Sequence, residues 1–324
     1  MIITLKDTTA SEVASRIIEM RADRGSAALG RVLTLIVVVD DVIDVDRAIE
    51  ISDAASREHP CRVIVVVDPG DRQGTARLNA QIRVGGEAGP SDVVVLEPRG
   101  DAAIGLDTLV MPLLLSDTPV VTYWPNTPPE NPGEHPLGVI AVRRITDSRQ
   151  ADCPMRTLMD LARVYSPGDT DLAWSGVTLW RAVVATVVEG FDRAPVGIRV
   201  TGHATHPSSF LVAAWLQRRT GVPTIHEPDP GARTITGVHF SFEDGSEVSL
   251  TRRAVSQVAH LVRTGLDTTY VNLPRRSVQD CLMEELRRLD PDVFYSEVLT
   301  RDLPRLPAAV ALLEGDEGGG EGRA

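Results

Sequence analysis

The residues best placed to do chemistry lie together in Gly202–Ser209, GHATHPSS, with His226 and Glu227 a short way downstream. Residues 196–201 (VGIRVT) read as a strand, 208–219 as a helix and 222–226 as a second strand. The eight residues therefore form a small-residue loop running from a strand end into a helix N-terminus. Unpaired backbone N–H groups at such a point favour an anion. Ser208 and Ser209 add hydroxyl donors, and a protonated His203 or His206 would add a charge-assisted bond. His226, ending the neighbouring strand, can approach the same point. The candidate anion-binding set is His203, His206, Ser208, Ser209 and His226. Two other readings of these residues stay open. A serine after a strand can simply cap a helix. Three neutral imidazoles could also hold zinc, although HxxH in a loop specifies no metal. No catalytic residue is assigned, because there is no nucleophile elbow, no Ser-His-Asp order and no cysteine nucleophile.

Other chemistry is limited by what the chain contains. Lys6 is the single lysine, so the glycine-lysine phosphate loop of nucleotide hydrolases cannot be built. No GxGxxG follows a strand, which removes the usual dinucleotide signature. Asp40, Asp41 and Asp44 follow one apolar run, and Asp68 and Asp71 follow the next. At strand ends these acids could hold a divalent cation, but aspartate also favours turns and helix caps, and no spacing matches a known metal motif. Cys61, Cys153 and Cys281 are odd in number and far apart, which fits a reducing compartment and gives no zinc-ribbon pattern. No cofactor is expected.

The elements that must position these residues fall into two halves. Thr9-Ala-Ser-Glu12 is a capping box and predicts a helix over 10–24. Residues 31–40 and 61–67 are continuous valine-rich runs, as expected of parallel strands covered on both faces, with a helix over 44–58 between them. Residues 77–84 and 92–96 flank GGEAGP and predict a hairpin. A helix over 102–115, kinked at Pro112, and a strand over 119–123 complete the first half. The proline-dense WPNTPPENPGEHP follows and reads as a linker or ordered loop.

The second half opens with a helix over 154–165. Asp171–Glu189, DLAWSGVTLWRAVVATVVE, is apolar around most of its girth and predicts one central buried helix. A hairpin over 234–242 and 247–251, strands over 257–263 and 268–273, and helices over 277–289 and 291–299 follow. The acidic glycine-rich end reads as a disordered tail. The expected fold is α/β, with a mostly parallel sheet in the first domain and a mixed sheet in the second, joined around the central helix. The expected boundaries are 1–125, 126–153 (connection), 154–314 and 315–324 (tail). The candidate interface residues are Tyr123, Trp124, Trp174 and Trp180, with Trp124 expected to lean on the second domain.

A net charge of −12 argues against nucleic acid or an anionic membrane as partner. No apolar run reaches membrane length and the N-terminus carries no secretory pattern, so a cytoplasmic location is expected. The segments PVVTYWPNTPP, DLAWSGVTLWRA and HATHPSSFLVAAWLQRR, in this order, resemble the OpcA family of bacterial glucose-6-phosphate dehydrogenase assembly proteins. The resemblance covers nearly the whole chain apart from the tail. It implies a non-enzyme that promotes assembly and allosteric activation of glucose-6-phosphate dehydrogenase in the oxidative pentose phosphate pathway, through protein–protein interaction. It supplies no catalytic residues. A sugar phosphate is the further ligand that the 202–209 loop could hold. The alternative is a sugar-phosphate-binding or metal-dependent enzyme with its site at that loop near His226.

Overall fold

The computed structural model describes residues 2–22, 31–68, 70, 72–84, 92–253 and 255–317. In chain order its strands and α-helices are β1 (Ile2–Leu5), α1 (Ala10–Ala22), β2 (Leu33–Val39), α2 (Val45–Ser56), β3 (Cys61–Val67), β4 (Arg77–Arg83), β5 (Asp92–Arg99), α3 (Leu106–Val110), β6 (Val120–Trp124), α4 (Pro136–Val139), β7 (Arg143–Thr146), α5 (Pro154–Val164), β8 (Asp169–Asp171), α6 (Leu172–Ser175), α7 (Thr178–Glu189), β9 (Gly197–Gly202), α8 (Pro207–Thr220), β10 (Thr224–Pro228), β11 (Ile235–Ser241), β12 (Glu247–Thr251), β13 (Val258–Arg263), β14 (Thr269–Asn272), α9 (Val278–Arg287), α10 (Val293–Glu297) and α11 (Pro307–Glu317). They form two compact units. One comprises Met1–Gln150, Ser166–Thr170 and Val278–Pro291, the other Ala151–Tyr165, Asp171–Ser277 and Asp292–Ala324.

The first unit is built on a sheet of order β1-β4-β5-β3-β2-β6-β7-β8. The run from β5 to β7 is parallel, and β4 and β1 are added antiparallel at the β5 end. Every residue of β2 and β3 is buried, Thr34 and Arg62 included, which is why both read as valine-rich runs without alternation. The chain leaves β2 towards β3 on one side and β6 pairs with it on the other, so the sheet is doubly wound with its switch point at β2/β6. The capping box of α1 is reciprocal. Glu12 N donates to Thr9 Oγ1 at 3.2 Å, and Thr9 N donates to Glu12 Oε2 at 3.0 Å.

Several sequence expectations need correction here. Residues 102–115 are not one helix. Gly105, at φ 76°, starts the five-residue α3, and a 3₁₀ turn containing Pro112 follows it. β1 and β7 were not expected, and the 126–153 stretch holds α4 and β7. β7 was hidden because its sequence, RRIT, opens on two arginines. Both are buried. Arg143 pairs with Glu285 of α9 and donates to Asp290 O at 2.9 Å. Arg144 pairs with Asp169 and donates to Pro167 O at 2.6 Å and Ala141 O at 3.1 Å. The arms of the expected 77–96 hairpin pair antiparallel as β4 and β5, while its turn, 85–90, lies outside the described residues. So does 318–324 of the expected tail, whose residues 315–317 belong to α11.

The second unit carries a sheet of order β10-β9-β11-β12-β13-β14, parallel between β9 and β10 and antiparallel elsewhere. One face, including Val200, Val238, Phe240, Leu250 and Leu261, shares a core with Trp180, Phe210 and Tyr295. The other face presents half-buried polar side chains. The stretch expected to be one central helix is divided in two. Asp171 caps α6 by accepting from Ala173 N at 2.8 Å, and Val177 leaves the helical region at φ −106°, ψ 10° before α7 begins. Gly176 followed by the β-branched Val177 and Thr178 is the weakest helix-forming triplet of the stretch. α7 buries Trp180, Val184 and Val187, so it shows one core-facing stripe and is not covered all round.

Candidate functional site

β9, the 203–206 loop, α8 and β10 form the expected strand–helix–strand unit. The helix starts earlier than its serines suggested. His206 is the N-cap, its Nδ1 accepting from Ser208 N at 3.2 Å, and Pro207 takes the first helical position that suits proline. Ser208 therefore lies inside the first turn. Its hydroxyl is buried and donates to Ala173 O at 3.2 Å, while Ser209 Oγ donates to His206 O at 3.0 Å. Ser209 N also donates to His206 O, at 3.3 Å. His203 is exposed, and its Nδ1 accepts from Thr205 N at 3.2 Å.

The fold does bring His226 to this loop. Its ring stacks on Phe210, with centroids 4.1 Å apart and planes at 26°. Burial pushes its pKa down to about 4, partly offset by a hydrogen bond to the His203 main chain. His226 is therefore a neutral aromatic packing group at neutral pH. His203, His206, Ser208, Ser209 and His226 share one neighbourhood, but the Ser208 hydroxyl is engaged with Ala173 O of α6, and the Ser209 hydroxyl and the cap nitrogen with the loop's own backbone. The metal alternative for the three histidines is not supported. Among the described residues no group of three or more His, Cys, Asp or Glu side chains could hold an ion.

The four candidate interface aromatics are all buried. Tyr123 and Trp124 end β6, and Trp124 packs into the first unit's own core with its ring edge-on to His135 at 5.4 Å. Its burial is thus accounted for within that unit. Trp174 donates from Nε1 to Asp292 at 3.0 Å and carries the Arg181 guanidinium 3.6 Å above its ring. Trp180 has the Arg252 guanidinium 5.3 Å from its ring. None of the four offers its ring to a partner in this conformation.

In a doubly wound sheet ligands bind outside the carboxyl ends of the strands. Here a cavity of about 340 Å³ lies at the ends of β2, β3 and β5, lined by Asp40, Asp41, Gln73, Glu97 and Arg99. A dinucleotide site would need a glycine turn and a bare helix N-terminus after β2. In its place Asp41 accepts from Ile43 N at 3.1 Å, and Asp44 precedes α2 and accepts from Asn126 Nδ2 at 2.9 Å. Three carboxylates stand where a pyrophosphate would need N–H donors, which disfavours that ligand by like-charge repulsion. Asp68 is held by Arg72 and by Gly70 N, so it too serves as a turn residue.

Sequence reasoning missed the buried charges, above all Arg143 with Glu285 and the carboxylate-free Arg252. A signal was present, since Arg143-Arg144 and Arg252-Arg253 are adjacent pairs beside apolar strand residues.

Two family models match the chain. Residues 52–163 match the glucose-6-phosphate dehydrogenase subunit N-terminal domain, and residues 167–299 match the C-terminal domain of the same subunit. No protein of curated function matches the sequence. Among solved structures, similar chains include an NAD binding oxidoreductase from Klebsiella pneumoniae, at 10% identity and TM-score 0.44 over 87% of this chain and 98% of that one. An oxidoreductase from Sinorhizobium meliloti has 10% identity and TM-score 0.44 over 88% and 98%. A 3-ketoreductase from Actinomadura kijaniata, in complex with TDP-benzene and NADP, has 10% identity and TM-score 0.41 over 85% and 96%. Likeness at this level says nothing of activity.

Proposed function

The chain belongs to the OpcA family of glucose-6-phosphate dehydrogenase subunits, and from that membership we propose that it is a non-catalytic assembly protein and allosteric activator of that dehydrogenase. In this reading it acts in the bacterial cytoplasm, on the oxidative pentose phosphate pathway. The observation that carries the proposal is the pair of consecutive matches, which take in both halves of the chain. The first unit supports it, because Asp40, Asp41 and Asp44 occupy the turn where a dinucleotide-binding sheet would need glycines. The chain then works by contact. It binds the dehydrogenase in one assembly state or conformation better than in others and shifts the population towards it.

The test is dehydrogenase rate against glucose-6-phosphate concentration, with and without the full chain, alongside sedimentation velocity of the mixture. The expected result is a co-sedimenting complex and a rate curve moved to lower substrate or higher maximum. Separate sedimentation with superimposable rate curves, at micromolar concentrations of both proteins, would defeat the proposal.

A further inference from the structure

We infer that the end of the second unit's sheet where β9, β10, β12 and β14 finish is a docking surface for an acidic segment of a protein partner, held by Arg233, Arg253 and Arg275. The strand registers bring four stretches to this end: 203–206 after β9, 229–234 before β11, 252–257 after β12 and 273–277 after β14. Hydrogen bonds tie them together. His203 N donates to Thr234 O at 3.1 Å, Leu273 N to Gln257 O at 2.7 Å, and Arg275 Nη1 to Thr234 Oγ1 at 3.1 Å. The four stretches therefore make one continuous rim.

Charge sets this rim apart. It holds five arginines and one aspartate, in a chain of net charge −12. The stretches at the opposite end of the sheet, 190–196, 221–223, 242–246 and 264–268, hold four acids and one arginine. The aspartate of the rim, Asp229, accepts from the Thr236 hydroxyl at 2.7 Å. Arg252 turns inward, over the Trp180 ring and onto Leu273 O, and Arg276 reaches Ser175 O at 2.8 Å. Arg233, Arg253 and Arg275 are exposed, and among the described residues neither Arg233 nor Arg253 has an ion-pair partner. Arg252 and Arg275 lie close enough for their charges to act on one another, so the buried guanidinium adds to the positive field of the exposed ones.

These groups define the partner's chemistry. Planar guanidinium groups take carboxylates in bidentate pairs. An acidic partner is repelled by the chain as a whole and attracted at this rim, so the rim fixes its orientation as well as its affinity. The same net charge disfavours a nucleic acid duplex, whose phosphates form a long uniform line. A cavity of about 640 Å³ on the sheet's outer face opens beside Arg253, with Pro228, Pro230 and Gly231 on its lining, and gives an extended segment room at the strand ends. Glucose-6-phosphate dehydrogenase is the partner if the reading above holds, and an acidic peptide tests the rim without it.

The test titrates the full chain with a labelled peptide of ten glutamates, and separately with the dehydrogenase, at about 50 and 500 mM salt. Both should bind at low salt and weaken at high salt. Arg233→Glu with Arg253→Glu should weaken both by about tenfold or more at low salt and remove most of the salt dependence. Arg156→Glu with Arg163→Glu, the same charge change at exposed positions of α5, should leave both within about twofold. If the glutamate pair does not fold by circular dichroism, Arg233→Gln with Arg253→Gln carries the test, with a smaller loss in the same direction. Peptide binding lost on reversal, with no binding of the dehydrogenase, would uphold the rim and defeat the dehydrogenase reading. Dehydrogenase binding unchanged by reversal would overturn the rim and leave that reading standing. Absence of salt-dependent peptide binding, or tighter binding of a short DNA duplex than of the peptide, would also overturn the rim.

Discussion

Trp180 offers the sharpest test of how the second unit is held together. Its ring is 2% exposed, packs in the core with Val184 and Val187, and supports the Arg252 guanidinium at 5.3 Å. Trp180→Ala should cost about 3–5 kcal/mol, the range for removing a core tryptophan, with the upper part favoured because Arg252 loses its ring partner as well. For a unit of this size each kcal/mol is worth roughly 2–4 °C, so the transition of that unit should fall by about 6–20 °C. Trp180→Phe separates packing from polarity. It keeps a ring beneath Arg252 but deletes an indole N–H that has no protein acceptor, a burial that costs about 1–3 kcal/mol. The lost ring area and the relieved donor oppose each other, so Trp180→Phe should lie within about 1.5 kcal/mol of the parent. Far-UV circular dichroism during urea and heat denaturation reads both variants without relying on tryptophan emission. An alanine variant that melts with the parent, or a phenylalanine variant as damaged as the alanine one, would refute the packing argument.

Three further outcomes follow from the same physics. Glu285→Leu or Arg143→Met alone should destabilise by about 3–5 kcal/mol by stranding a buried charge, while the double variant should be near neutral, and a double-mutant cycle in urea measures the difference. Because the folded pKa of His226 is about 4 against 6.5 when free, its stabilising contribution is complete above pH 6.5 and is lost as pH falls towards 4. That loss is about 3 kcal/mol, and denaturation curves of His226→Leu across this window should lack it. Ser208→Asp places a carboxylate beside the Ala173 carbonyl in a buried first turn, so it should cost about 2 kcal/mol or more in a thermal melt, although the sequence alone makes aspartate look like an acceptable cap there.

What the sequence determined by itself was whatever depends on neighbours along the chain. The valine runs of β2 and β3, the Thr9–Glu12 capping box and the β9–α8–β10 unit were legible because burial on both faces, a reciprocal cap and a period change each leave a local pattern. The OpcA resemblance was legible for the same reason, since it rests on contiguous segments. Only the tertiary structure decided the rest. RRIT became β7 because Glu285, 142 residues away from Arg143, neutralises one of its arginines. The 171–189 stretch broke at Gly176–Val177 although its apolar pattern continues, because hydrophobic period records burial and not backbone continuity. The histidines of the 202–209 loop changed meaning in the same way. Their spacing suggested a ligand, but whether a ring caps, stacks or binds depends on what lies across from it. Ala173 O claimed the Ser208 hydroxyl and Phe210 took the His226 ring, while Arg252, inconspicuous in the sequence, was left without an acid. Partners distant along the chain, brought close only by folding, set the charge and hydrogen-bond state of each of these groups.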